Sequence, residues 1–128
     1  MEKHYKPIGY NSVSPYFLVD GAQKMVDLLK ELFNVKVLRS FDTLDGSIMH
    51  MEVLIDDSVI MLGESSEQFS PNTHLLHVYV PNVDETFEKA IALGCVPIET
   101  PKERKNDPDK RGTFKDFAGN IWSIGTQL

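Results

Sequence analysis

The run IMHMEVLI, residues 48–55, places a histidine and a glutamate two residues apart in an otherwise apolar stretch. An imidazole and a carboxylate at that spacing can share an ion, pass a proton or hold a ligand's polar group, provided both point the same way. In an extended strand they do, because residues i and i+2 lie on one face. Ile48, His50, Glu52 and Leu54 then share a mixed face, and Met49, Met51, Val53 and Ile55 share a wholly apolar one that must pack against something. The mixed face meets either water or a site.

The elements around this run decide between the two. SPYFLVD (14–20) predicts a strand, with Phe17 and Val19 bulky on one side and Gly21 as its stop. AQKMVDLLKELF (22–33) predicts an amphipathic helix with Met25, Leu28, Leu29 and Leu32 on one face, Asp20 as N-cap and Asn34 as its end. KVLRSFDT (36–43), IMHMEVLI and SVIMLGE (58–64) read as three more strands, joined by turns at LDG (44–46) and Asp56-Asp57. After a polar, aperiodic linker, SSEQFSPNT (65–73), the order restarts. LLHVYV (75–80) is a strand and VDETFEKAIALG (83–94) a helix ending at Gly94. VPIET (96–100) is a strand closed by Pro101, and GTFKDF (112–117) with NIWSIG (120–125) makes the last hairpin.

Both halves therefore read β-α-β-β-β, an α+β fold of two tandem modules, about 12–65 and 73–128, within one domain spanning 1–128. An offset of 62 sets Met25 on Phe87, Val59 on Ile121 and Gly63 on Gly125. Four strands with one helix per module leave one sheet face uncovered. The apolar stripes suit the covered face: Phe17 and Val19, Met51 and Val53, Leu76 with Val78 and Val80, Trp122 and Ile124. The opposite stripes are Ser14-Tyr16-Leu18, His50-Glu52-Leu54, Val59-Met61, Leu75-His77-Tyr79 and Ile121-Ser123. They mix aromatic, apolar and ionisable groups, as the lining of a small-molecule site does.

Charge narrows the partners. Nineteen acidic and 13 basic residues give a net charge of −6, which argues against nucleic acid. KERKNDPDKR (102–111) is a local exception, read as a solvated loop or a basic lip over an anionic ligand. No apolar run reaches the roughly 20 residues of a membrane span, and the N-terminus lacks a signal-peptide core. Cys95 alone supports neither a disulfide framework nor a cysteine-based zinc site and is expected to be a small buried residue. A cytoplasmic protein is the simplest expectation.

Four stretches then carry a family resemblance: VSPYFLVDGAQKMVDLLKELF, GSIMHMEVLIDDSVIMLGE, LLHVYVPNVDETFEKAIALG and RGTFKDFAGNIWSIGT. In this order they resemble the vicinal oxygen chelate superfamily of glyoxalases, bleomycin-resistance proteins and extradiol dioxygenases, and within it the PhnB-like branch. That branch usually reads close to D-P-F-G-H/N-x-W near its end, where this chain has Asp116-Phe117-Ala118-Gly119-Asn120-Ile121-Trp122. The resemblance implies paired modules curved around a cleft and a homodimer, often with modules of two chains building each cleft.

It also implies where a metal would sit: on the first and last strands of each module, at positions matching Ser14, Met61, Leu75 and Ser123. Leucine and methionine do not serve a hard or borderline divalent ion, so no metal is expected there and glyoxalase I activity is not expected. The alternative is a displaced site from His50, Glu52 and His77, the composition of a two-histidine, one-carboxylate centre. Against it stands the plain reading that His50 and Glu52 satisfy each other. Tyr16 and Tyr79 are core aromatics or a site rim, Trp122 is core, and Arg111 meets a ligand carboxylate or forms a loop salt bridge. His4 and His74 lie on no motif.

Two functions follow, with a third kept open. The first is a metal-independent small-molecule binder that takes an aromatic or amphipathic compound through Tyr16, Met61, Leu75 and Tyr79. In it His50, Glu52, His77, Arg111 and Ser123 place the ligand's polar groups. The second is a lyase, isomerase or dioxygenase using a displaced metal or the His50/Glu52 pair as acid and base. The third is an interaction module with a vestigial cleft.

Overall fold

In the computed structural model, which describes residues 5–128, the chain forms two four-stranded mixed sheets, each with one helix. His4 lies outside the described residues. The chain divides into two compact units: residues up to Lys30 with Asn34–Pro71, and Glu31–Phe33 with Asn72–Leu128.

The first unit contains β1 (Tyr16–Val19), α1 (Ala22–Leu32, whose last two residues belong to the second unit), β2 (Val35–Asp42), β3 (Ile48–Ile55) and β4 (Ser58–Glu64). Its sheet order is β1-β4-β3-β2, with β1 parallel to β4 and the other pairs antiparallel. Phe17, Val19, Met51 and Val53 are all buried, as alternation predicts. At the start of β3 the pattern fails: Ile48, expected on the mixed face, is buried, and Met49, expected on the packed one, is exposed, because the ladder to β2 slips there. Ala22, Met25, Val26 and Leu29 are buried on one side of α1. The helix start departs from expectation. Asp20 does not cap it; the Glu64 carboxylate at the end of β4 accepts from Gly21 N and Ala22 N, both at 3.0 Å. A carboxylate there satisfies two orphan N–H groups and complements the helix dipole, which Asp20 is not needed to do.

The second unit repeats the plan with β5 (Leu75–Tyr79), α2 (Val83–Ala92), β6 (Val96–Lys102), β7 (Asp109–Lys115) and β8 (Ile121–Gln127), in the order β5-β8-β7-β6. Asn82 caps α2 through Oδ1, which accepts from Glu85 N at 3.1 Å, and Asp84 and Glu85 fill the first turn. Gly94 follows at φ +100°, a left-handed stop open to glycine. The helix packs on β6, β7 and β8.

Two boundaries in this unit differ from the sequence expectation. Pro101 does not end β6, because β6 is an edge strand and a residue without N–H is tolerated there. β7 begins at Asp109 rather than Gly112, since the ladder to β8 continues through Arg111↔Gly125 to Asp109↔Gln127. The basic loop is thus shorter than 102–111: both of its ends are strand.

Trp122 is fully buried, as its apolar stripe predicts, but it is tied down as well as packed. Its Nε1 donates to Asp116 Oδ2 at 2.9 Å. The same buried carboxylate accepts from Ala118 N (2.9 Å), Asn120 N (3.0 Å) and Asn120 Nδ2 (3.0 Å), closing the turn in which Gly119 has φ +92°. This turn needs no proline, because one carboxylate organises it. Asp116→Ala removes that shared acceptor and should destabilise the protein by about 3 kcal/mol or more. Urea denaturation of the variant against the unmodified chain measures the loss.

Candidate functional site

The first unit's mixed face is assembled by register. Residues directly opposite on paired strands share a face. Arg39↔Glu52, Glu52↔Met61 and Tyr16↔Met61 therefore set Arg39, Glu52, Met61 and Tyr16 in one row across all four strands. Beside that row, Phe41 opposes His50.

Two bulges make this row. From Val37↔Val53 to Arg39↔Glu52, β2 advances two residues and β3 one, so Leu38 is extra. From Phe41↔His50 to Asp42↔Ile48 the reverse holds, and Met49 is extra. A one-residue shift exchanges the faces of a strand. Without these bulges Leu38 and Ser40 would oppose Glu52 and His50; with them, Arg39 and Phe41 do. Gly63 is where the second bulge presses hardest: a Cβ there would lie 2.5 Å from Met49 O.

A continuous hydrogen-bonded chain results. His50 Nε2 lies 2.8 Å from Glu52 Oε2, and His50 Nδ1 lies 2.7 Å from the Tyr16 hydroxyl. Glu52 Oε1 accepts from the Tyr10 hydroxyl at 2.5 Å and has Arg39 Nε at 3.7 Å. The Glu52 side chain is only 7% exposed. Burial by itself would raise its pKa, but hydrogen bonds from His50 and Tyr10, with the positive charge of Arg39, bring it below the ordinary value. A carboxylate held anionic requires N–H at His50 Nε2. In the neutral ring Nδ1 is then the acceptor, and Tyr16 donates to it. Burial, followed by the Glu52 charge, raises the Tyr16 pKa, so the phenol keeps its proton. The tilted Tyr16 ring (centroid 5.4 Å) and the Phe41 ring (6.2 Å) flank the imidazole.

The second unit carries a different set. Leu75, His77 and Tyr79 project from β5 on the face shared with Ile121 and Ser123, and all three are exposed. His77 Nδ1 bonds Ser123 Oγ at 2.9 Å and stacks edge-on with Tyr79 at 4.8 Å. Tyr79 donates to Asp109 Oδ2 at 2.7 Å, which raises the tyrosine's pKa. Arg111 is engaged by Asp107 (3.1 Å) and Asp109 (3.5 Å), the salt-bridge reading rather than a free guanidinium. Burial, then the Arg111 charge, lowers the His77 pKa, with Asp109 opposing. The thiol of buried Cys95 is pushed up to about 11 by burial and by the Asp116 charge.

The model of the Glyoxalase/Bleomycin resistance protein/Dioxygenase superfamily matches residues 10–124. The chain belongs to that superfamily. No curated protein matches. Solved structures with this fold include TnmS3, an antibiotic-binding protein from Streptomyces sp. CB03234 (17% identity, 93% of this chain and 100% of that one, TM-score 0.67). They also include the fosfomycin resistance protein FosX of Listeria monocytogenes complexed with Mn(II) and sulfate (20%, 92% and 90%, TM-score 0.69). A PhnB protein from Bacillus cereus is a third (13%, 91% and 99%, TM-score 0.69).

The superfamily's metal does not fit the positions where the resemblance places it. Ser14, Met61, Leu75 and Ser123 offer two hydroxyls, a thioether and a hydrocarbon; Leu75 is 74% exposed and Ser123 Oγ is bonded to His77. Among the described residues no group of three or more His, Cys, Asp or Glu is arranged to hold a metal ion. His50 and Glu52 are instead hydrogen-bonded to each other, within the first unit; His77 belongs to the second.

Tyr10, Arg39, Phe41 and Asp109 are the residues that sequence reasoning missed. Arg39 and Phe41 are placed by bulges, which no alternation pattern signals, and Tyr10 comes from a segment with no regular structure.

The Glu52 linkage has a definite sign. Its folded pKa lies below the ordinary 4.5, so the stabilisation is present above about that pH and is lost as pH falls through the folded value. Glu52→Gln should therefore cost about 1–3 kcal/mol at pH 7, and the gap to the unmodified protein should close under acid conditions. Urea titrations at pH 7 and below pH 4 compare the two.

Proposed function

We propose that this superfamily member is a metal-independent small-molecule-binding protein whose ligand is aromatic or amphipathic and sits on the first unit's mixed face. The observation that carries this reading is Glu52. A carboxylate buried in the middle of a sheet face is expensive unless it is used or fully bonded, and this one is bonded among half-exposed rings. Tyr16, Phe41 and Met61 supply apolar contact, and His50 with Glu52 orients a polar group. Leu75, His77, Tyr79, Arg111 and Ser123 form a second ligand-facing surface in the other unit. The named roles of TnmS3 in antibiotic binding and of FosX in fosfomycin resistance make drugs and drug-like metabolites the first compounds to try. We further propose a cytoplasmic homodimer, the assembly that the family resemblance implies; separately, among the described residues no helix is long and apolar enough to cross a membrane.

A second reading has its own observation. The Tyr16–His50–Glu52 chain has the order of an acid–base relay, a hydroxyl on a histidine oriented by a carboxylate, which suits a lyase or isomerase.

A thermal-shift screen of antibiotics and aromatic metabolites separates these from an interaction module. Ligands should raise the melting temperature, and His50→Ala should abolish the rise. Metal analysis of protein purified without a nickel column should find far less than one divalent ion per chain. A stoichiometric ion would sink metal independence, and a screen with no hits would sink the binding reading.

A further inference from the structure

The residues that close the site come from outside the sheet. Residues 5–13 form no helix or strand, yet they deliver Tyr10 to the middle of the mixed face. The Tyr10 hydroxyl donates to Glu52 Oε1, and its ring lies 5.4 Å from the Arg39 guanidinium carbon. A second tether is Asn11 Oδ1, which accepts from Val59 N at 3.1 Å. Three of its bulky apolar residues add no anchorage by burial: Tyr5, Ile8 and Val13 are 89%, 90% and 86% exposed, while Pro7 and Tyr10 are half-buried. Gly9, at φ +85°, bends the chain just before Tyr10.

We infer that Tyr10 is a built-in stand-in for the ligand, and that the place it fills on Glu52 and Arg39 is a site for phenolic small molecules that compete with the strap. This rests on the binding reading above and specifies its ligand class. The contacts define the occupant. It must donate one hydrogen bond to a carboxylate oxygen that is already shared with a cation. It must also present a flat π face to a guanidinium. It must be neutral, because the charges of Glu52 and Arg39 already balance. A phenol meets all three demands. A benzoate would set a second carboxylate against Glu52, an aliphatic alcohol lacks the ring, and toluene lacks the donor.

The strap is displaceable for the same reason that it fits. Of its two tethers to the sheet, the Tyr10 one consists of contacts that a free phenol reproduces, so the Tyr10 ring and the ligand exclude each other. The apparent affinity of the unmodified chain is then reduced by the fraction of time the strap is open. A hydrogen bond to a charged group makes that reduction about tenfold or more.

The test uses p-cresol, which is the tyrosine side chain as a free molecule, on the full chain and on Tyr10→Ala, with toluene as the ring without a hydroxyl. NMR titration should show p-cresol binding Tyr10→Ala about tenfold or more tightly than the unmodified chain, and toluene binding neither. Equal p-cresol affinity for both proteins, no binding to the variant, or an equal response to toluene overturns the assignment. If Tyr10→Ala does not fold, the unmodified chain still decides. Saturating p-cresol should speed amide hydrogen exchange at Val59 as Asn11 lets go, and unchanged protection there overturns the proposal. The two readings fail separately: screen hits that depend on His50, without p-cresol preference for Tyr10→Ala, leave a binding protein whose ligand is not a phenol.

Discussion

The candidate site depends on a pair of opposed bulges, Leu38 in β2 and Met49 in β3, that shift three cross-strand pairs by one residue and then restore the register. Each bulge alone would put the rest of the hairpin on the wrong face. Together they confine the exchange to Arg39, Ser40 and Phe41. The apolar residues at either end keep the facing that the core requires, while a cation and an aromatic ring arrive beside Glu52 and His50. The polar network follows from that local slip: Arg39 helps to keep Glu52 anionic, Glu52 sets the tautomer of His50, and His50 orients Tyr16. Gly63 belongs to the same device, since only a residue without Cβ leaves room for the Met49 carbonyl that the second bulge pushes inward.

The two units show how far a repeat can diverge once its topology is set. β6 also carries an extra residue, between Pro97 and Glu99, close to where β2 carries Leu38 after alignment of the modules. It is not answered by a bulge in β7; the ladder shifts again in the same sense before Lys102. In that unit the arginine lies on β7 rather than on the edge strand, and Arg111 pairs with Asp107 and Asp109 of its own hairpin. The same architecture thus buries a bonded glutamate in one unit and an aspartate held by a tyrosine and an arginine in the other.

Much of this fold was legible from the residues. β3 and β4 begin and end where IMHMEVLI and SVIMLGE do, because alternating side chains bounded by turn residues mark a half-buried strand clearly. The His50–Glu52 contact follows from the same alternation. What escaped was everything set by partners rather than by local pattern. Glu64 capping α1 is a long-range contact that Asp20 mimics in sequence. Strand β6 runs through Pro101 because it is an edge, and edges are not visible until strand order is known. Arg39 and Phe41 depend on two uncounted residues, and Tyr10 on the path of an irregular segment.

The tie between Trp122 and Asp116 has an optical consequence. Trp122 is the chain's single tryptophan, and it sits in the second unit, sealed from water with its indole N–H on a carboxylate. Its fluorescence is therefore a private gauge of that unit. A chromophore so placed reports loss of the Asp116 turn with high contrast, yet it belongs to a different unit from the Tyr10–Glu52–His50–Tyr16 chain. The first unit speaks only through its tyrosines, two of which, Tyr10 and Tyr16, are bonded into that chain. Indole emission thus reports one unit alone, whereas phenol absorption is shared, Tyr79 of the second unit contributing beside Tyr10 and Tyr16 of the first.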